Sequence, residues 1–390
     1  MYNERREMID RIFKTHDLSA LIFWRPDELV LMLGYMPLWG LSVLVYTADH
    51  EPILFVPQLE PDDLLPKGIT IKTFPWGAKN CLDPWNTLYK EIKKILRQKG
   101  LLNKPLSFIK SIGGTAPCRM SGEQPPLPAD FIQQLSNLSD AGFKDAGLDL
   151  LSLYQHKTSQ DIEGLKLAHS ITALAVEVFY QQAKKGISEA KLAALIEYAV
   201  HEKIGQNDIS FARAWPIIQS GINTANGGRY NRTTGKIIAD GEFVMLEMGV
   251  CVNGYWADIT RTTITREINE MQLNIFETVS TAQQIAIKML RPGVVMNEVD
   301  RAARKFIEGA GFGEYFDHTL GHQVGFRYHD PGSNLSSTCT DLLQEGMVLT
   351  VEPGIYGVAL NGGVRIEDNL LITANGYQLL SNYSRSLHGD

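Results

Sequence analysis

Val244-Met-Leu-Glu-Met-Gly-Val-Cys-Val-Asn-Gly-Tyr-Trp-Ala-Asp-Ile-Thr-Arg-Thr262 is the stretch that decides the reading of this 390-residue chain. It holds two apolar runs of strand character joined by Asn253-Gly254. Asn-Gly is the strongest short hairpin signal, because both residues accept the positive φ of a type I′ turn. With that turn, residue 252 faces 255 and paired numbers sum to 507. Glu247 then faces Thr260, and Asp258 faces Gly249. Side chains alternate faces along a strand, so Glu247 and Asp258 become diagonal neighbours on one face.

A second acidic hairpin lies downstream. Met347-Val-Leu-Thr-Val-Glu352-Pro-Gly is one strand and Gly363-Val-Arg365-Ile-Glu367-Asp-Asn-Leu-Leu-Ile372 the other, with Asn361-Gly362-Gly363 in the loop. A pairing that sums to 719 sets Glu352 against Glu367. Carboxylates in apolar strands are costly to bury unpaired. Four that converge repel one another unless cations neutralise them, and two divalent ions cancel the charge. Hard oxygen ligands with one imidazole suit Mn²⁺, Co²⁺, Fe²⁺ or Zn²⁺. The imidazole candidates lie in His318-Thr-Leu-Gly-His322-Gln-Val-Gly-Phe-Arg-Tyr-His329, which holds three of the nine histidines. The four-residue spacing of His318 and His322 gives one face on a helix or a strand, so they can converge either way.

Outward from these hairpins, a helix–helix–sheet order occurs twice. Helical patterns after Thr158 and Ser188 precede a β-rich 208–265; patterns at 273–290 and 297–309 precede a β-rich 318–373. Thr158 with Asp161 fits a capping box. The repeat suggests a pseudo-duplicated domain whose site draws on both halves. The N-terminal part reads differently. Helical spacing at 4–15 and Leu88–Leu96 alternates with short apolar runs at Ala20–Trp24, Leu41–Tyr46, Pro52–Val56 and from Ser107. That predicts a three-layer α/β unit. The expected domains are 1–153 and 154–390.

A net charge of −7 argues against a nucleic-acid partner. No run approaches the ~20 apolar residues of a membrane span, and residues 1–12 lack the apolar stretch of a signal peptide. Cys81, Cys118, Cys251 and Cys339 are scattered, as expected of reduced thiols in a cytoplasmic protein.

At these residues the chain resembles the pita-bread metallopeptidases (methionine aminopeptidase, aminopeptidase P and prolidase, with creatinase as a metal-free relative). The stretches Val351-Glu-Pro-Gly-Ile-Tyr356 and Gly363-Val-Arg-Ile-Glu-Asp-Asn369 carry it most specifically. The resemblance implies a creatinase/prolidase-type N-terminal domain, 1–153, and a pita-bread catalytic domain, 154–390. It implies five metal ligands: Asp258 and Glu367 bridging two ions, Glu247 on one ion, His322 and Glu352 on the other. His318 and His329 fall at the family's substrate-side histidines, and Arg365 at its arginine beside the bridging glutamate. It also implies a homodimer.

Two positions depart from the family. Glu247 stands where the peptidases have Asp, which leaves open two divalent ions per subunit or only one held tightly. Gly228 stands near the position of a family histidine, after a creatinase-like Gln219-Ser-Gly-Ile-Asn-Thr224. Arg229 or Tyr230 could supply the missing donor, and Trp256 could line the substrate cleft with Trp215. The reaction expected is attack of a metal-activated hydroxide on an amide carbonyl. Glu352 would shuttle a proton, and His318 or His329 would stabilise the oxyanion. The substrate implied is an Xaa-Pro peptide. The alternatives are a creatinase-like hydrolase of a small non-peptide C–N bond and a non-catalytic binding homologue.

Overall fold

The computed structural model describes residues 3–38, 41–47, 50–76, 84–110, 131–226 and 232–389. The chain divides into two compact units, Met1–Tyr154 and Gln155–Asp390.

In the first unit the short apolar runs become strands because both of their faces are covered. β1 (Ala20–Phe23), β2 (Val43–Thr47), β3 (His50–Pro57), β4 (Thr70–Phe74), β5 (Leu106–Phe108) and β6 (Phe143–Asp145) form a mixed sheet of order β4-β3-β2-β1-β5-β6 among the described residues. Ile22, Val43, Val45 and Phe55 pack on Leu88, Ile92 and Ile95 of α3 (Pro84–Gln98) and on Phe131 and Leu135 of α4 (Phe131–Ser136). The opposite face is buried too, through Leu21, Leu44 and Leu54, with Phe13 of α1 (Asn3–His16) against Tyr46. Sheets covered on both sides read as continuous rather than alternating apolar runs. The three expected layers are present. The short helices α2 (Pro26–Leu33) and α5 (Leu151–Gln155) complete this part of the chain.

The second unit opens with α6 (Ser159–Gln182) and α7 (Glu189–His201), which precede the sheet β7 (Ala212–Ser220), β8 (Phe243–Val252) and β9 (Tyr255–Ile264). Thr158 caps α6 in the expected reciprocal box: its hydroxyl accepts from Asp161 N–H, and its own N–H donates to Asp161 Oδ2 at 2.7 Å. The β8–β9 turn has Asn253 at φ 49° and Gly254 at φ 90°. Glu247 pairs with Thr260, and Gly249 with Asp258, in the 507 register.

The order then repeats with α8 (Glu270–Met289) and α9 (Met296–Gly309) ahead of β10 (Val348–Val351), β11 (Gly354–Gly357), β12 (Gly362–Arg365), β13 (Asp368–Thr373) and β14 (Gly376–Leu379). Residues 318–347, expected to be β-rich, form only isolated bridges among the described residues. Leu320–Val324 nevertheless runs beside β10, with Thr350 N–H to His322 O at 2.8 Å and Glu352 N–H to Leu320 O at 2.8 Å.

The second hairpin keeps the 719 register on both sides of a gap: Val351 pairs with Asp368, and Gly354 with Arg365. The ladder is interrupted at Glu352-Pro353 opposite Ile366-Glu367. Pro353 has no N–H to donate, so pairing cannot continue through it. Gln283 of α8 fills the gap, its Nε2 reaching Val351 O and Ile366 O at 3.1 Å each. Glu367, opposite Glu352 at a position whose backbone groups face outward, donates its N–H to Thr260 O of β9 at 3.1 Å. That outward bond joins the two acidic hairpins.

Candidate metal centre

Three strands carry the floor of the site. On β8 and β9, Glu247, Gly249, Asp258 and Thr260 share one face, and Trp215 of β7 lies opposite Gly249. The join at Thr260 brings Glu367 alongside, and the 320–324 segment brings His322. Carboxylate and imidazole atoms then fall in three groups, each with all its atoms within 4.8 Å of one another: Glu247/Asp258/Glu367, His322/Glu352/Glu367 and Asp258/His322/His329. All five expected ligands are therefore brought together, along with His329.

The donor set fits divalent cations. Asp258 Oδ1 and Glu367 Oε1 are buried with no hydrogen-bond partner. A buried carboxylate oxygen is rarely left so. His322 Nδ1 lies 3.0 Å from Gln323 O and can only donate to it. That fixes the proton on Nδ1 and leaves the Nε2 lone pair facing Asp258 Oδ2 at 3.3 Å and Glu352 Oε1 at 3.5 Å. A backbone carbonyl behind the imidazole is the usual support of a metal-binding histidine.

The charges respond to this crowding. Burial, reinforced by the neighbouring carboxylates, lifts the Asp258 and Glu367 carboxyls well above the usual range. Glu352 is raised as well, chiefly by burial. Glu247 goes the other way. Burial would raise it, but the Arg365 guanidinium and hydrogen bonds from Thr260, Tyr328 and Arg365 outweigh that and hold it low. Arg365 Nη2 is 2.6 Å from Glu247 Oε2, and Tyr328 O–H donates to Glu247 Oε1 at 2.5 Å. Thr260 Oγ1 sits between Glu247 Oε2 and Glu367 Oε2, and accepts from Arg365 Nε at 2.9 Å.

Both outer histidines are kept neutral. Burial, with the nearby Arg365 charge, pushes His318 down to about 4; burial and His322 push His329 down to about 2. Arg365 Nη1 donates to Tyr356 Oη at 2.8 Å, so the Tyr356 proton points to His318 Nε2 at 3.0 Å. His318 Nδ1 donates to Thr319 O. His329 lies over His322, ring centroids 3.7 Å apart.

Trp256 stacks on Trp215 at 5.0 Å beside the cluster and is 8% exposed. Arg229 and Tyr230, expected near the substrate, lie outside the described residues, as does Gly228. Both flanks of 227–231 are held by one buried carboxylate: Glu189 accepts from Ser220 N–H and Asn223 Nδ2 on one side and from Thr234 N–H and O–H on the other. Behind His329, Asp330 accepts from Phe326 N–H and Arg327 N–H and pairs with Lys157 Nζ at 2.9 Å, both side chains fully buried.

Tyr328, Thr260 and Tyr356 were not singled out from the sequence. Thr260 was legible as the cross-strand partner of Glu247, but nothing marked its hydroxyl. Tyr328 stands next to His329 in an irregular segment where no register could place it.

The family model for metallopeptidase family M24 matches residues 163–374. The chain belongs to that family. Among curated relatives of this M24 peptidase, the Xaa-Pro dipeptidase of Pyrococcus horikoshii is 30% identical over 386 residues, covering 99% of each chain. The putative dipeptidase YkvY of Bacillus subtilis is 39% identical over 340 residues, 87% of this chain and 86% of the relative. Among solved structures, the prolidase from Pyrococcus furiosus superposes with a TM-score of 0.76 at 29% identity, covering 96% of this chain and 100% of the other. These likenesses favour the peptidase reading over the creatinase-like and non-catalytic ones. No helix among the described residues is long and apolar enough to cross a membrane.

Proposed function

We propose that this M24 peptidase is an Xaa-Pro dipeptidase. The observation that carries its metal dependence is the pair of orphaned oxygens, Asp258 Oδ1 and Glu367 Oε1, inside a ring of acidic and imidazole donors. The Xaa-Pro preference rests on the relatives named above. The residues that would hold two divalent ions per subunit are Glu247, Asp258, His322, Glu352 and Glu367. The candidate ions are Mn, Co, Fe and Zn, with manganese our first choice. When bound, such ions make a coordinated water acidic and polarise a carbonyl oxygen.

The other steps belong to the chain. Glu352, beside His322 in the cluster, takes a proton at its carboxylate oxygen and returns it to the leaving amine. His329 stays neutral and presents an N–H to the carbonyl oxygen as negative charge develops there. His318, engaged at both nitrogens, orients Tyr356 and through it Arg365. Arg365 holds Glu247 in place. Trp215, Trp256, Arg229 and Tyr230 are assigned to the substrate. We carry forward a homodimer from the family resemblance, and a cytoplasmic setting from the scattered cysteines.

The test is hydrolysis of Xaa-Pro dipeptides before and after exhaustive chelation, with Glu352→Gln as control. Activity should vanish with the metal and return with Mn²⁺ or Co²⁺. Glu352→Gln should lower kcat by about 10²–10⁴-fold, the scale of a lost proton shuttle. Full activity after chelation refutes the metal role; hydrolysis of creatine-like amidines in place of dipeptides refutes the substrate.

A further inference from the structure

We propose that Tyr328 is the positioning residue that adapts this centre to a glutamate at 247, orienting its one available oxygen toward the cations. The inference rests on the metallopeptidase reading and deepens it. Glu247 reaches one methylene further than the aspartate that the family places there. Something must fix that longer arm, because a free carboxylate would lose side-chain entropy on binding.

Three donors fix it among the described residues. Arg365 Nη2 and Thr260 Oγ1 engage Oε2, and the Tyr328 O–H alone engages Oε1. A carboxylate has about four lone-pair sites, two on each oxygen. Oε2 takes Arg365 and shares the single Thr260 proton with Glu367 Oε2, and Oε1 takes Tyr328 and keeps one lone pair. One Glu247 oxygen stands within 4.8 Å of ligand atoms of Asp258 and Glu367, and the Oε1 lone pair that Tyr328 leaves open is assigned to the cation.

The room for Tyr328 is built into β8. Gly249 lies two residues from Glu247 on the same face, opposite Asp258. A Cβ at 249 would come within 2.7 Å of Tyr328 Cδ2 and 2.9 Å of Cε2. Those are ring atoms, not the end of a flexible chain. The ring is also stacked on His329 at 4.7 Å and met edge-on by Trp256 at 6.1 Å. Gly249, Trp256 and His329 thus hold the phenol against the Glu247 carboxylate, with Asp258 also beside it.

The experiment titrates chelated protein with Co²⁺, reading heat and the visible Co²⁺ absorption band, for the wild type, Tyr328→Phe, Glu247→Asp and the double variant. Two binding events are expected in the wild type. Tyr328→Phe should weaken one of them by about 10-fold or more, the scale for removing a group that supports a metal ligand. It should alter that ion's band and leave the other event unchanged. In the Glu247→Asp background the same change should cost less than about twofold, because the coupling partner is gone. Gly249→Ala should reproduce Tyr328→Phe by displacing the ring, and it keeps the test alive if Tyr328→Phe does not fold. Equal weakening of both ions, equal effects in both backgrounds, or no effect overturns the role of Tyr328. Absence of any Co²⁺ binding in the wild type overturns the metal reading itself, and the inference with it.

Discussion

Glu367 donates its backbone N–H to the carbonyl of Thr260 at 3.1 Å. With the bonds between Asn369 and Asp258 and between Arg365 and Thr262, it sets the second acidic hairpin against the first. It exists because Glu352 turns its own N–H to Leu320 O, so Glu367 opposite it faces outward from the hairpin. The carboxylates meet through backbone geometry, and the cations need only occupy a cage already drawn.

The metal-free cage should be sensitive to pH. Asp258, Glu352 and Glu367 have raised carboxyls. A raised acid adds stability that is complete below its unfolded value, near ~4, and is lost as the pH rises through its folded value. Glu247 is held low and runs the other way, but it stands alone against three. The melting-temperature gap between Co²⁺-loaded and chelated protein should therefore widen from pH ~5 to ~8. A gap that stays constant contradicts the burial and repulsion argued for the three carboxyls.

Gln283 bridges the gap in the second hairpin. Gln283→Leu leaves Val351 O and Ile366 O without that donor in the core. Each unsatisfied carbonyl costs about 1–3 kcal/mol, so a loss of about 3 kcal/mol is expected by urea unfolding. Co²⁺ affinity should fall as well, since Glu367 borders the gap. An unchanged midpoint would mean that another group takes over the two carbonyls.

His169 of α6 is buried against Tyr383, with Nδ1 2.9 Å from the phenol, and burial pushes its pKa down to about 3. A depressed base stays neutral when folded, while the unfolded chain takes up a proton below pH ~6.5. Stability is therefore lost as the pH falls from ~6.5 toward ~3, by up to about 1.4 kcal/mol per pH unit. His169→Gln should flatten that slope between pH 6 and 4 in paired urea titrations. Parallel slopes would show that His169 takes its proton in the folded state.

The two indoles should separate in their effects. Trp215 is half-buried and Trp256 nearly fully buried. Trp256→Ala should cost about 3–5 kcal/mol of stability, the usual scale for a large core aromatic. Trp215→Ala should mainly raise KM for Xaa-Pro dipeptides, with little change in melting temperature. A KM unaltered by Trp215→Ala removes it from the substrate cleft.

Much of this arrangement was legible in the sequence, for identifiable reasons. Asn253-Gly254 permits one turn, and that turn dictates the partners of Glu247 and Asp258. An even-numbered loop permitted, but did not require, the 719 register of Glu352 and Glu367, and nothing local said which segment would take the outward N–H of Glu367. Residues 318–347 read as β-rich from their apolar content, yet most of their backbone bonds run to loops and side chains. Tyr328 was invisible for that reason. Its partner, Glu247, lies 81 positions away, and no periodicity links them.

Lys157 lies ahead of α6, yet its ammonium is the counter-charge for the loop that bears Tyr328 and His329. A shortened catalytic half that opened at the first turn of α6 would strand the Asp330 carboxylate in the interior, a liability of about 3–5 kcal/mol. Anyone transplanting this half into another protein must bring its short lead-in as well.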